Sequence, residues 1–458
     1  MPKETLKNLK ETKEGGKLKM KKCLKTKNGI TLIALVVTIV VLLILAGVSI
    51  SLVLDKNGII QKSKDARREY GQAKANERED LSNLSDMIEE ATAEPTPKVN
   101  VNTKAGDNST INGKKGTSKN PTIPKNYIPI DTATSTWGDG STAPSQDSVN
   151  HGLVIKDEQN NEWVWVPVDK ATLATMYEES SDEKTLCGTT GETAVKTKLY
   201  SKSITIGTDS NKTTMTRTTP GTSTSFCEPD LVVGNNGAEY DAKDTYYKTI
   251  LGDTGTKEQL AQLFVDEYKA MIESISKYGG FYIGRYELSE AGVQKDKATL
   301  TSKNWYNLYK KCKELNASDK VETRMIWGCQ WDVTMNWLIS SGAKTSNEVN
   351  KDSSSWGNYS DSKENAKVTV TEEDGTTTNK YGRKQSTGYS EYWKANNIYD
   401  LAGNYLEWTQ EAYSTGSRAS RGGCCIDNGS SYPASSRYSS YPGGSGYLRF
   451  SSHFNNKI

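Results

Sequence analysis

The chain has 458 residues, a net charge of +2 and 34% hydrophobic residues. Near-balanced charge argues against a polyanionic partner, so nucleic acid is not an expected ligand. Two histidines (His151 and His453) speak against His-based zinc sites and a His-centred triad, and 24 Tyr against 5 Phe suits a polar, loop-rich extracellular protein.

Residues 1–29 are a basic leader ending in KLKMKKCLKTKNG. Residues 30–54, ITLIALVVTIVVLLILAGVSISLVL, carry no charge. As a helix they would measure about 37 Å, enough to cross a hydrocarbon core of about 30 Å with some tilt. The run is long and lacks a small-x-small cleavage site, which argues against a removable signal peptide. Basic residues before it place the N-terminus in the cytoplasm. The expected localisation is therefore membrane-anchored, with the C-terminal domain extracellular. KNGITLIALVV resembles the class III leader of type IV prepilins. That resemblance implies cleavage by prepilin peptidase after Gly29, leaving Ile30 as the mature N-terminus, and type IV pilus subunits as further partners. The family's Glu at the fifth mature position is Ala34 here. This points away from a major pilin and toward a minor or tip subunit, or a simple membrane-tethered protein.

Residues 55–92 are charged with few breakers, and predict a helical stem continuing the membrane helix. Residues 93–126, rich in Pro, Thr, Asn, Lys and Gly, read as a flexible linker.

From residue 127 to 458 the sequence predicts an α+β domain. EWVWVPV (162–168) alternates like a half-buried strand, and GGFYIGRYELS (279–289) follows a Gly-Gly turn in the same manner. Apolar residues at helical spacing mark 257–278 and 302–316, and 324–341 reads as a third helix or a turn leading into one. The stretches 188–226 and 342–390 read as surface insertions. Without βα alternation, a doubly wound parallel sheet is excluded.

NNIYDLAGNYLEWTQEAY (396–413), followed by SRASRGG (417–423), resembles the signature of the formylglycine-generating-enzyme (sulfatase-modifying-factor) family. GGFYIGRYELS and RMIWGCQWDVTMNWL match two earlier blocks of that family in the same order. The resemblance covers most of 150–458 and implies a C-type-lectin-like fold. The family's oxidases use two cysteines a few residues after R-G-G-S. Here Cys424 and Cys425 follow Arg421-Gly422-Gly423 directly, and Asp427 and Tyr432 stand roughly where the catalytic pair belongs, so no catalytic residues are expected. The resemblance also implies a structural Ca²⁺ held by Asp400, Glu407 and the carbonyls of Gly403 and Tyr405, hard oxygen donors suited to that ion. Trp408 is expected in the core and Asn404 in satisfying loop backbone.

From Ala412 to Asn456 the chain contains no Lys, Glu, Gln, Met or Trp. These are the five residue types that a codon ending in a pyrimidine cannot encode. The pattern resembles the variable proteins of diversity-generating retroelements, whose hypervariable segment sits at the C-terminus of such a fold. The variable segment is expected over 424–452, with 430–437 as a scaffold island. Tyr, Ser, Gly and Asn are the residues binding loops use. The expected ligand-binding residues are Cys424, Cys425, Ile426, Asp427, Asn428, Tyr438, Ser439, Ser440, Tyr441, Gly443, Gly444, Ser445, Tyr447 and Arg449. Leu448 and Phe450 belong either to that face or to a closing core strand. The expected function is non-enzymatic: surface-displayed binding of an unidentified macromolecular or cell-surface ligand. A minor pilin and an atypical cysteine-dependent oxidase are the alternatives.

Overall fold

The helical periodicity at 257–278 becomes a 22-residue helix, Lys257–Tyr278. A capping box starts it: Thr256 accepts from the Gln259 N–H, and the Gln259 side chain accepts from the Thr256 N–H. Gly279 ends it in the left-handed region at φ 75°. A Cβ there would meet the Ser118 backbone nitrogen at 2.3 Å, so only glycine fits.

These features belong to a computed structural model describing residues 37–42, 94–134, 142–189, 191–220, 228–232, 246–315, 321–414, 416–443 and 453–455. The chain divides into two compact units, Met1–Leu81 and Ser82–Ile458. In the first, residues 37–42 are helical and expose Val37, Ile39, Val40, Val41 and Leu42. The rest of the expected membrane helix, the processing residues Gly29 and Ile30, and the stem at 55–92 lie outside the described residues. Among the described residues no helix is long and apolar enough to cross a membrane.

The second unit mixes helices with several small antiparallel sheets. Its largest sheet has six strands in the order Glu322–Arg324, His453–Asn455, Gly280–Gly284, Glu162–Pro167, Val154–Lys156, Ile128–Ile130. The expected half-buried alternation of 162–168 is corrected. Trp163 and Trp165 share one face, Val164 and Val166 the other, and all four are buried, so the strand is covered on both sides. Trp165 packs on Tyr282 with ring centroids 5.0 Å apart. The expected helix at 302–316 is observed as Trp305–Glu314, and 324–341 resolves into a strand end and the helix Gly328–Ser340. The strand His453–Asn455 lies between Gly280–Gly284 and Glu322–Arg324. The strand that follows the stretch 424–452, expected to vary, is thus paired into the domain's six-stranded sheet. Leu448 and Phe450 lie outside the described residues.

Two expectations are overturned. From residue 94 onward the expected flexible linker is part of the domain. Val99, Val101, Ala105, Ile111 and Ile123 are buried, and the Tyr282 hydroxyl and Trp165 Nε1 donate to Thr122 O (3.2 Å) and Ser118 O (2.9 Å). Its polarity hid this, because hydrogen bonds such as those of Asn120 Nδ2 to the Lys114 and Lys115 carbonyls order much of it. Nor are 188–226 and 342–390 mere surface insertions. The first buries Arg217 in an ion network, and the second buries Trp356, Asn358 and Tyr359.

Candidate functional site

The signature region forms a three-stranded antiparallel sheet, Glu407–Ser414, Ser417–Arg421 and Arg437–Ser440, with the last strand outermost. Between the second and third strands the chain turns at Gly422 and Gly423, both at positive φ. A Cβ on Gly423 would meet Tyr432 O at 2.6 Å, so this turn requires glycine.

The loop 424–435 rests in a cradle built mainly by 349–361. The Ser360 N–H and hydroxyl both donate to Asp427 O, at 3.0 and 2.8 Å. Asp361 Oδ1 accepts from Gly429 N–H at 2.8 Å, and Ser353 N–H donates to Gly429 O at 3.0 Å. The Ser353 hydroxyl accepts from Ala434 N–H, and Ser435 N–H donates to Val349 O. Tyr359 Oη lies 2.7 Å from Gly422 O and 2.9 Å from Tyr432 O. Nearly all of these contacts reach backbone atoms of the loop; the Asn428 side chain, which accepts from the Ser360 hydroxyl, is the exception.

The loop closes on itself where Asp427 N–H donates to Cys424 O and Asp427 Oδ2 accepts from Cys424 N–H. At its tip Ile426 is 74% exposed, an unusual position for an aliphatic side chain held so firmly. Asn428, Ser439 and Tyr441 are also exposed; Cys424, Asp427, Tyr438 and Gly443 are half-buried. Two expected ligand contacts are corrected. Cys425 is buried, with its N–H bound to Asn404 O, and Ser440 is buried, its hydroxyl 2.7 Å from that of Ser420. In an extended strand neighbours point to opposite sides, so Ser439 and Ser440 cannot both face outward. Gly444, Ser445, Tyr447 and Arg449 lie outside the described residues. The island at 430–437 buries Pro433, Ala434 and Ser435, and Tyr432 packs on Tyr438 with centroids 4.8 Å apart.

Cys424 carries a free thiol among the described residues. Burial pushes the Cys424 thiol up to about 12 and the Cys425 thiol up to about 11. Neither is a thiolate, the nucleophilic form, at neutral pH.

Beneath the sheet lies an ion network that the sequence reading missed. The Arg217 guanidinium lies 2.9 Å from Glu228, 2.7 Å from Asp332 and 2.8 Å from Glu411, all four side chains being 0% exposed. Arg421 pairs with Asp332, and Arg437 Nη2 with Glu411 at 2.7 Å. Three guanidiniums face three carboxyl groups, so each buried charge has a partner. The environments differ. Burial lifts Glu228 to about 8, with Arg217 offsetting only part of this against the repulsion of Glu411 and Asp332. For Glu411 the burial penalty is outweighed by Arg217, Arg437 and Arg421, which hold it down at about 2.

The expected calcium residues Asp400, Gly403, Tyr405 and Glu407 are all buried. Asp400 sits at φ 61°; its Oδ2 accepts from Gly388 N–H at 2.7 Å, and its Oδ1 has no donor. Glu287, which the sequence reading did not single out, faces the same place. Its Oε2 accepts from Asn404 Nδ2 and from the Thr299 hydroxyl, while Oε1 has no donor. Burial first, then Asp400 and Glu407, raise the Glu287 carboxyl well above its ordinary value, and burial lifts Asp400 to about 7. Among the described residues no three acidic, His or Cys side chains converge as a metal-ligand cluster. An ion held here would have to take the open oxygens of Asp400 and Glu287 and complete its six to eight ligands from carbonyls and water.

The chain matches no protein-family model and no curated protein.

Proposed function

We propose that this chain is a surface-displayed binding protein whose C-terminal loops recognise a ligand, without performing chemistry on it. The observation that carries the reading is the cradle. Loop 424–435 is gripped largely through its main chain, while Ile426, Asn428, Ser439 and Tyr441 are presented to solvent. A rigid frame with interchangeable side chains is how a recognition loop keeps its shape at low entropic cost. The five-residue exclusion supports retroelement diversification of these positions. The high thiol pKa values of Cys424 and Cys425 favour recognition over thiol oxidation.

On this reading the scaffold is a formylglycine-generating-enzyme-like, C-type-lectin-type domain, held to the membrane by residues 30–54. A structural Ca²⁺ beside Asp400 and Glu287 steadies the signature loop; the buried, donor-free oxygens of those two residues support it.

Sequencing the 3′ end of the gene, with downstream DNA, from several isolates tests the proposal. Differences clustered in codons 424–452, beside a near-copy carrying adenines at those sites, are expected. A uniform tail without such a repeat overturns the diversification.

A further inference from the structure

In an extended strand, side chains alternate between faces, so a groove lying over a sheet face is lined by every second residue of each strand. The cleft beside Arg437–Ser440, with a volume of about 380 Å³, is lined differently. Residues 213–216 form one wall and 435–438 another, each an unbroken run. The first run is the strand Thr213–Met215 with Thr216, and the second leads into the strand Arg437–Ser440 through Arg437 and Tyr438, so the cleft borders both strand edges, where backbone N–H and C=O groups point.

The topology agrees. Among the described residues, Arg437–Ser440 pairs with Ser417–Arg421 alone, and Thr213–Met215 with Ile204–Ile206 alone. No ladder joins the two edges. They are bridged instead by a side chain, Arg437 Nη1 donating to Thr216 O at 3.2 Å. An inserted strand needs a gap of about two strand spacings, ~9.5 Å, and a long side chain spans such a gap where a ladder hydrogen bond does not.

Charge offers little to a ligand here. Among the described residues Arg437 is the one charged residue of the lining; it is committed to Glu411 and lies over the Tyr413 ring at 4.7 Å. Unmet hydrogen bonding offers more. Asn350, 6% exposed, donates to Ile206 O and leaves its Oδ1 without a donor, while Arg437 Nε lacks an acceptor. A peptide unit carries one N–H and one C=O, the complement of that pair.

Resting on the recognition reading above, we propose that the ligand is a protein that docks an extended peptide segment in this cleft, adding a strand to the edge Arg437–Ser440. The backbone ladder supplies affinity, and Tyr413 and Tyr438 at the rim select side chains.

The test selects random linear peptides by phage display against the full chain in nanodiscs, then measures binding of a selected peptide and of its singly N-methylated series. Strand addition uses the N–H of alternate residues, so N-methylation at every second position is expected to weaken binding tenfold or more. Amide exchange is expected to slow at 213–216 and 437–440. Sensitivity without alternation, or protection confined to 424–428, overturns strand addition and leaves tail recognition standing. Failure to select any peptide also overturns it. Binding that is indifferent to Ile426→Asp and Tyr438→Ala, with protection elsewhere in the domain, sinks the recognition surface itself.

Discussion

Arg437 Nη2 lies 2.7 Å from Glu411 Oε1, the same oxygen that Arg217 Nε approaches at 2.8 Å. The outermost strand of the tail sheet is thus tied to the most deeply buried charges of the domain. Arg437 ends the scaffold island, and beyond it Ser439 and Tyr441 face solvent.

Removing the centre of this network should be costly. Arg217→Met leaves Glu228, Asp332 and Glu411 facing two guanidiniums instead of three, and breaking a buried ion cluster this way costs about 3–5 kcal/mol. Urea denaturation of wild type and variant measures it. A change below about 1 kcal/mol would show that solvent reaches the cluster.

The two glutamates predict opposite pH limbs. Glu411 is held at about 2 against an ordinary 4.5, so its ionised form favours the fold. That contribution is complete above pH 4.5, is lost as pH falls toward 2, and is on the order of 3 kcal/mol. Glu228, raised to about 8, favours the fold in its protonated form, and its contribution drains away between pH 4.5 and 8. Thermal melts should therefore peak near about pH 5. Glu411→Gln should flatten the acid limb and Glu228→Gln the alkaline one.

Tip and cradle should differ in tolerance. Ile426→Ser, at an exposed position, should change stability by less than about 0.5 kcal/mol while altering ligand binding. Tyr359→Phe removes the hydroxyl between Gly422 O and Tyr432 O and should cost about 1–2 kcal/mol. Equal sensitivity at the two positions in denaturant titrations would contradict a frame that is indifferent to its loop's side chains.

Calcium should stabilise the domain. An ion bound only by the folded state adds about 2.7 kcal/mol at a hundredfold excess over its Kd. Melts in millimolar Ca²⁺ should exceed those in EDTA, and Asp400→Asn should abolish the difference. No shift in wild type would remove the ion from the signature loop.

Much of the frame was readable from local pattern. The helix at 257–278 carried its period, its capping residues and its terminal glycine in consecutive sequence. The site was less legible, because its supports come from distant stretches without periodicity. Nothing in the Thr-rich surroundings of Arg217 shows that it will meet Glu411, 194 positions away. The cradle residues Ser353, Ser360 and Asp361 sit in a polar run whose composition matches any surface loop. Glu287 left a faint trace, a lone carboxylate between Tyr286 and Leu288 in a strand-like run whose other charge is Arg285. Ile426 was singled out from the alphabet of the tail, but the glycine turn before it and the inward turn of Cys425 and Ser440 needed coordinates.

The frame fixes some identities, since Gly429 has no room for a side chain and Asp427 closes the loop with its own carboxylate, but at the tip it holds main-chain groups that every amino acid but proline presents alike. Most codons that a mutational process writes at position 426 are then compatible with folding before any ligand is met. A change at the exposed tip, Ile426, therefore leaves the frame around it intact.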